Sequence, residues 1–225
     1  VSDLVNPTEM YLRTLHDLDE DGVEARQARI VERLGVTHAT VGQAVSRLAK
    51  SGLVSTTGDG RIELTPEGHA QAVAIARKHR LAERLLTDVI GLPPLLAHDE
   101  ACRLEHVMSE AVERRIVALL DRPETAPWGN PIPGLHGLGV VAAELPAATR
   151  LVDIPAVRLP AQGTVRSVSE QAQADGELMA ALIRAGVVPG ARVSVRRLSR
   201  SYRVTGVDVV EIPTRLAHIL RIDCG

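Results

Sequence analysis

Residues 27–64 read QARIVERLGVTHATVGQAVSRLAKSGLVSTTGDGRIEL, and their periodicity decides the N-terminal fold. Ala28, Ile30, Val31 and Leu34 recur at helical spacing and predict a short helix, ended by Gly35 in a left-handed cap. Thr37 is an N-cap for a second helix over residues 37–50, which buries Val41, Val45 and Leu48 and closes at Gly52. Residues 53–57 then meet 61–64 across Gly58-Asp59-Gly60, a hairpin signal with glycines at the turn. Helix, turn, helix and hairpin make a winged helix-turn-helix. The second helix presents Thr37, His38, Ala39, Thr40, Gly42, Gln43, Ser46, Arg47 and Lys50 outward. Gln43 suits a bidentate contact to adenine, and the methyls of Thr37 or Ala39 suit thymine. Arg47 and Lys50 suit phosphates, with Arg26, Arg29 and Thr40 adding backbone contacts.

Working outward, residues 4–18 predict an amphipathic helix through Leu4, Val5, Met10, Tyr11, Leu12, Leu15 and Leu18, with Pro7 in its first turn. Downstream, Thr65-Pro66 starts a long helix that runs through His79 and Glu83 to Ile90, where Gly91 and Pro93-Pro94 stop it. Two further helices are expected over residues 98–108 and 110–120. Their apolar positions, with Leu85, Leu86, Val89 and Ile90, exceed what one helical hairpin buries, and the excess reads as a dimer interface. Five prolines and four glycines in residues 121–150 read as a linker. Beyond it the period changes to two, at Val165 and Val168, Val193 and Val195, Val207 and Val209, and Ile219 and Ile222. Short glycine-bounded strands and one helix over residues 175–185 predict a small SH3-like barrel. The fold class is therefore mainly α with a small β domain. The expected divisions are 1–65 for the winged helix, 66–140 for a helical metal-binding and dimerisation domain, and 150–225 for the barrel.

Composition agrees with this division. The chain has 225 residues, 45% of them hydrophobic, so several cores are possible; with Phe absent and only Trp128, Tyr11 and Tyr202 aromatic, those cores are aliphatic. No apolar run reaches the roughly 20 residues of a membrane span, and residues 1–4 lack the features of a signal peptide. Cys102 and Cys224 are too few and too far apart for a disulfide framework, and a cytoplasmic location without membrane association is expected. The net charge of −2 conceals a pattern: residues 26–61 hold Arg26, Arg29, Arg33, Arg47, Lys50 and Arg61 against Glu32 and Asp59. Such a local basic face suits a phosphate backbone.

The chemistry lies about forty residues further on. Cys102, Glu105 and His106 stand at helical spacing, so a thiol, a carboxylate and an imidazole can face one atom. His79 and Glu83 share a helix face one turn apart, and His98 returns from the next segment. Sulfur, nitrogen and oxygen donors together indicate a first-row transition metal. Metal ligands beside a DNA reader indicate a metal-controlled repressor rather than an enzyme.

Four runs carry a resemblance. Residues 8–14 (TEMYLRT), 77–86 (RKHRLAERLL), 98–109 (HDEACRLEHVMS) and 129–135 (GNPIPGL) resemble the diphtheria toxin repressor and iron-dependent regulator family. The resemblance is strong over about residues 2–140 and weaker beyond. It implies a homodimeric, ferrous-iron-activated repressor of iron-homeostasis genes, two dimers on a palindromic double-stranded operator, and two Fe²⁺ sites per chain. Mn²⁺, Co²⁺, Ni²⁺ or Zn²⁺ are possible substitutes in vitro. The activating site it implies is Met10, Cys102, Glu105 and His106; the second is His79, Glu83 and His98, with Glu170 and Gln173 from the barrel. A thioether and a thiolate favour iron over manganese. The chain departs from the family at Ala39, where a proline is usual, at Gly42, usually serine, and at Leu104, usually tryptophan. The first two bear on operator preference and leave the ligands untouched.

Three other readings compete. One is a manganese-responsive repressor of the same family. Another is a metal-dependent or cysteine hydrolase, against which stands the lack of a Gly-rich oxyanion loop, a phosphate loop or a second element opposing Cys102. No small-molecule substrate is expected. The third treats the barrel as a module that holds the proline-rich residues 123–133 in cis, in competition with ligation by Glu170 and Gln173.

Overall fold

The computed structural model describes residues 6–141 and 145–224, so Leu4 and Val5 of the expected first helix lie outside the described residues. Helix α1 spans Pro7–Glu20, with the Asn6 side chain accepting from the Thr8 and Glu9 amides and Pro7 in the first turn, where no intrahelical amide bond is lost. α2 (Gln27–Leu34) ends at Gly35, whose φ of 63° needs no Cβ accommodation. α3 (His38–Lys50) starts from Thr37, whose hydroxyl accepts from the Thr40 amide. The wing is β1 (Val54–Thr56) paired antiparallel with β2 (Ile62–Leu64), Val54 opposite Leu64. Tyr11, Leu12, Leu15 and Leu18 from α1 join Ile30, Val41, Val45, Leu48 and Ile62 in one core. Each such Leu or Ile is worth about 1.5–3 kcal/mol of burial.

α4 (Pro66–Arg84) is capped by Thr65 and continues as a π-helical turn over Leu85–Val89. Gly68 lets α4 start against the wing: a Cβ there would stand 1.9 Å from the Leu53 carbonyl oxygen. The next helix corrects an expectation. α5 spans Pro94–Leu104, not 98–108, because Pro94 begins it as well as barring continuation of α4. Glu105 and His106 therefore lie in the turn after α5, ahead of α6 (Glu110–Leu119). Leu81, Leu86, Ala97, Ala101, Met108 and Ile116 form the core of this layer, while Ile90, Leu96, Val107 and Leu119 stay exposed.

The barrel is a six-stranded antiparallel sheet: β3 (Thr149–Arg150), β4 (Ala161–Val168), β5 (Arg192–Arg197), β6 (Ser201–Thr205), β7 (Val209–Pro213) and β8 (Leu220–Asp223). They are ordered β3-β8-β4-β5-β6-β7. α7 (Glu170–Gln173) and α8 (Gly176–Arg184) follow β4. A bulge in the pairing of β4 with β8 lets Val165 and Val168 both face the core despite their odd spacing. The pair Val207 and Val209 is corrected: Val207 lies in the bend before β7, Val209 faces outward, and Val210 and Ile212 point inward, one residue on from the expected register. A one-residue slip exchanges the two faces of a strand. The proline-rich stretch is not a free tether over residues 121–141. Trp128 belongs to the barrel core, and Ile132, Leu135 and Leu138 belong to the helical core. The Val168 amide donates to the Trp128 carbonyl at 2.9 Å, and Asn130 Nδ2 donates to the Val168 carbonyl at 2.7 Å. A Cβ on Gly129 would meet the Arg166 carbonyl at 1.9 Å.

Candidate metal centre

Three elements place the centre. α1 is buried on both sides: its apolar face fills the winged-helix core, and its other face carries Arg13, His16 and Asp17 toward the interior. α4 presents His79 and Glu83 one turn apart, 0% and 1% exposed. α5 returns antiparallel after Pro94 with His98 and Cys102, and α7 brings Glu170 from the barrel.

His79, Glu83, His98 and Glu170 each offer one ligand atom within 4.8 Å of the others, and all four are buried. His79 Nε2 lies 3.1 Å from Glu83 Oε1 and 3.4 Å from Glu170 Oε2. His98 Nδ1 lies 3.4 Å from Glu83 Oε1 and 3.5 Å from Glu170 Oε2. A second group, His79, Cys102 and Glu105, meets the same distance. It is joined to the first through His79, whose Nδ1 is 2.8 Å from Glu105 Oε2. The two clusters therefore share one imidazole.

The remaining expected residues divide. Met10, Cys102, Glu105 and His106 line one cavity of about 380 Å³. His106 lies between two carboxylates, with its Nδ1 2.6 Å from Glu9 Oε2 and its Nε2 3.5 Å from Glu105 Oε1. Gln173 Nε2 donates to the Val168 carbonyl at 3.2 Å, and its Oε1 is buried without a hydrogen-bond partner. Glu83 Oε2 is likewise unpartnered. Glu83, with one buried oxygen free of any donor and the other beside two imidazoles, belongs to a donor set that suits a divalent cation. On the same short helix, Gln171 Oε1 lies 2.6 Å from His218 Nε2.

Sequence reading missed Arg13. Its Nη1 donates to Glu105 Oε2 at 2.8 Å and to Cys102 Sγ at 3.3 Å, and Nη2 lies 3.5 Å from Glu170 Oε2. Its signal was its place one turn beyond Met10 on the same helix. Arg80 was also missed; its Nε donates to Glu170 Oε1 at 3.0 Å, and its other arm holds Glu20.

These partners set the protonation states. Burial raises the Cys102 thiol, but Arg13 and hydrogen bonds from His79 and His98 outweigh it and lower the group from 9.0 to about 5. Burial lowers His98, yet hydrogen bonds with Cys102, Glu170 and Glu83 raise it from 6.5 to about 11. His79 is also raised, with burial and Arg13 opposing Glu83 and Glu170. Glu170 is held well below the usual carboxylate range: burial opposes, and His79, His98 and Arg80 win. The site thus holds ionised carboxylates and a thiolate against protonated imidazoles and a guanidinium.

On α3, Thr37, Ala39, Thr40, Gln43, Arg47 and Lys50 are all exposed, while Gly42 is half-buried with Gln27 alongside. Arg26 pairs with Asp59 of the wing at 2.8 Å and Arg29 with Glu32 at 2.8 Å, so both are partly neutralised within the domain. No helix among the described residues is long and apolar enough to cross a membrane.

Comparison with known proteins agrees with this architecture. Residues 3–61 match the iron dependent repressor N-terminal DNA binding domain, and 65–134 the iron dependent repressor metal binding and dimerisation domain. Residues 146–224 match the diphtheria toxin repressor SH3 domain. The chain is 48% identical over 229 residues to the iron-dependent repressor IdeR of Mycobacterium tuberculosis, covering 99% of each chain. It is 45% identical to the diphtheria toxin repressor of Corynebacterium glutamicum, covering 99% of this chain and 98% of that one. Among solved structures, T. acidophilum IdeR superposes with a TM-score of 0.78 at 26% identity, covering 96% and 97%. A manganese-dependent transcriptional repressor in complex with manganese gives 0.80 at 26% identity, covering 97% and 100%. The chain belongs to the iron-dependent repressor family, with a DNA-binding domain, a metal-binding and dimerisation domain and a C-terminal SH3 domain.

Proposed function

We propose that this protein is an iron(II)-activated transcriptional repressor that binds palindromic operators as a homodimer and controls iron-homeostasis genes. The observation that carries the reading is one buried cluster supplied by α1, α4, α5 and α7, and so by all three domains. Charge in that cluster bears on how the DNA-reading helix sits relative to the dimerisation helices.

Met10, Cys102, Glu105 and His106 would hold the activating ion. His79, Glu83, His98 and Glu170, completed by Gln173, would hold a second. A bound divalent cation supplies positive charge that ties α1 to α5, and α4 to the barrel. Thiolate and imidazole donors favour iron over manganese, and Co²⁺, Ni²⁺ or Zn²⁺ would substitute in vitro. His106 joins the first set on leaving Glu9. Gln43, Thr37 and Ala39 would read base edges, and Thr40, Arg47, Lys50, Arg26 and Arg29 would hold the backbone, in the cytoplasm and on facing half-sites.

The test is binding to an iron-box palindrome titrated anaerobically with Fe²⁺ and with Mn²⁺. Binding at lower free Fe²⁺, reversed by chelator, is expected. Response to Mn²⁺ alone would make it a manganese repressor, and no metal-dependent binding would overturn the reading.

A further inference from the structure

The barrel carries a charge concentration that the metal cluster does not use. Between Glu177 and Asp208 the chain has six arginines and no acidic residue, in a protein whose formal net charge is −2. Five of the six stand on the β5–β6 hairpin or its turn: Arg192, Arg196, Arg197, Arg200 and Arg203, all exposed. Arg196 and Arg203 are directly opposite in the antiparallel register. Like charges at that position destabilise a strand pair. Arg203 is offset by Glu211 on the next strand, at 2.7 Å. Among the described residues, no carboxylate stands within ion-pair distance of Arg192, Arg196, Arg197 or Arg200.

The hairpin is linked to the DNA-reading domain. The Thr214 amide donates to the Arg200 carbonyl at 3.0 Å, which ties the hairpin turn to the segment Thr214–Ile219. In that segment Arg215 Nη1 lies 3.9 Å from Glu32 Oε1 on α2, and Arg215 and His218 share a small cavity with Arg29 and Arg33. Guanidiniums thus continue from α2 across Arg215 to the hairpin turn. Planar guanidiniums match phosphate oxygens in bidentate geometry, and they cost little to desolvate beside a polyanion.

We infer that the β5–β6 hairpin is a second DNA-contacting surface, gripping the phosphate backbone beside the segment held by the winged helix. The inference rests on the operator-binding reading above. The hairpin adds affinity without sequence preference, because phosphates carry none. A weak contact suffices, since the winged helix already holds the duplex close.

The experiment compares the full-length Fe²⁺-loaded protein with R196Q/R200Q and with E211Q. It uses an iron-box palindrome in a 40-base-pair duplex and a random duplex of equal length, over a salt series. All three substituted side chains are exposed, so matching melting temperatures are the folding control. R196Q/R200Q is expected to flatten the salt dependence by about one unit of slope per guanidinium lost, equally on both duplexes. E211Q, which frees Arg203, is expected to steepen it. Unchanged slopes in both variants, with the unmodified protein still binding the palindrome, would overturn the hairpin contact and leave the repressor reading standing. Failure of the unmodified protein to bind would instead overturn the repressor reading. A loss confined to the palindrome would overturn a backbone contact.

Discussion

Arg13 Nη1 donates to Glu105 Oε2 at 2.8 Å, so a guanidinium of the DNA-binding domain sits among the donor atoms of the dimerisation domain. The same nitrogen is 3.3 Å from Cys102 Sγ. Arg13 is thereby a cation already in place among a thiolate and two carboxylates. It offsets their repulsion in a site where burial makes unpaired charge costly.

Arg13→Met should therefore raise the Cys102 thiol from about 5 toward its usual 9.0. A depressed thiol stabilises the fold above pH 9, and that contribution is lost as pH falls through about 5. The variant loses this dependence. Titration by thiolate absorbance at 240 nm reads the shift directly. Removing one partner of a buried charged set costs on the order of 3 kcal/mol, so the metal-free melting temperature should fall. A thiol still titrating near 5 would assign its acidity to the histidines alone.

Glu170→Gln tests the tie between barrel and helices. Glu170 meets Arg80 at 3.0 Å, with His79, His98 and Arg13 at 3.4–3.5 Å. Loss of its charge should destabilise the metal-free chain by on the order of 3 kcal/mol in denaturant unfolding. The Co²⁺–thiolate band at Cys102 should persist while the stoichiometry falls from two ions to one. Loss of both ions together would show one coupled centre rather than two.

Metal uptake should release protons. His98 is raised to about 11 and His79 is raised as well, so both imidazoles are protonated at pH 7. Ligation requires them neutral, which predicts about two protons released when the His79–His98 site fills, and an affinity that climbs with pH. The sign for stability is opposite to that of Cys102: the His98 contribution is full below pH 6.5 and is lost as pH rises through about 11. Calorimetry in buffers of differing ionisation enthalpy counts the protons. A buffer-independent heat would contradict the assigned charge states.

The exposed apolar side chains beside the helical core are the expected dimer surface. Ile90 is 63%, Leu96 55% and Leu119 61% exposed. Leu119→Asp should raise the dimer dissociation constant by about tenfold or more, from one buried leucine's worth of area. Sedimentation at several concentrations reads it, and an unchanged dimer would move the interface off α6.

How much of this was legible in the sequence depended on how local the cause was. The winged helix follows from caps, turns and short-range periodicity, and Thr37, Gly35 and Thr65 act where the sequence put them. His79 and Glu83 were legible because one helical turn fixes their neighbourhood. Arg13 was not, because a charged residue on a helix ordinarily faces water, and only the packing of α1 on α4 reverses that. α5 starts four residues ahead of the expected His98, because a Pro-Pro pair signals an end as readily as a start. Val209 matches the strand period yet sits one residue out of register, since Val209 and Val210 are the same residue type and nothing local says which is buried, while Val207 lies in the bend before the strand.

The recognition helix offers the last separation, between base reading and backbone grip. Gln43 is exposed on the first half of α3 and Lys50 at its end. Gln43→Ala should cost about 1–3 kcal/mol on the preferred palindrome and relax discrimination at one base pair, with the salt slope unchanged. Lys50→Gln should weaken binding evenly across sequences and reduce that slope by about one. Ala39 and half-buried Gly42 narrow the polar surface near the helix start, so on the proposed reading Gln43 would carry a larger share of base recognition. If Gln43→Ala left every single-base variant of the palindrome ranked as before, sequence selection would have to come from DNA shape instead.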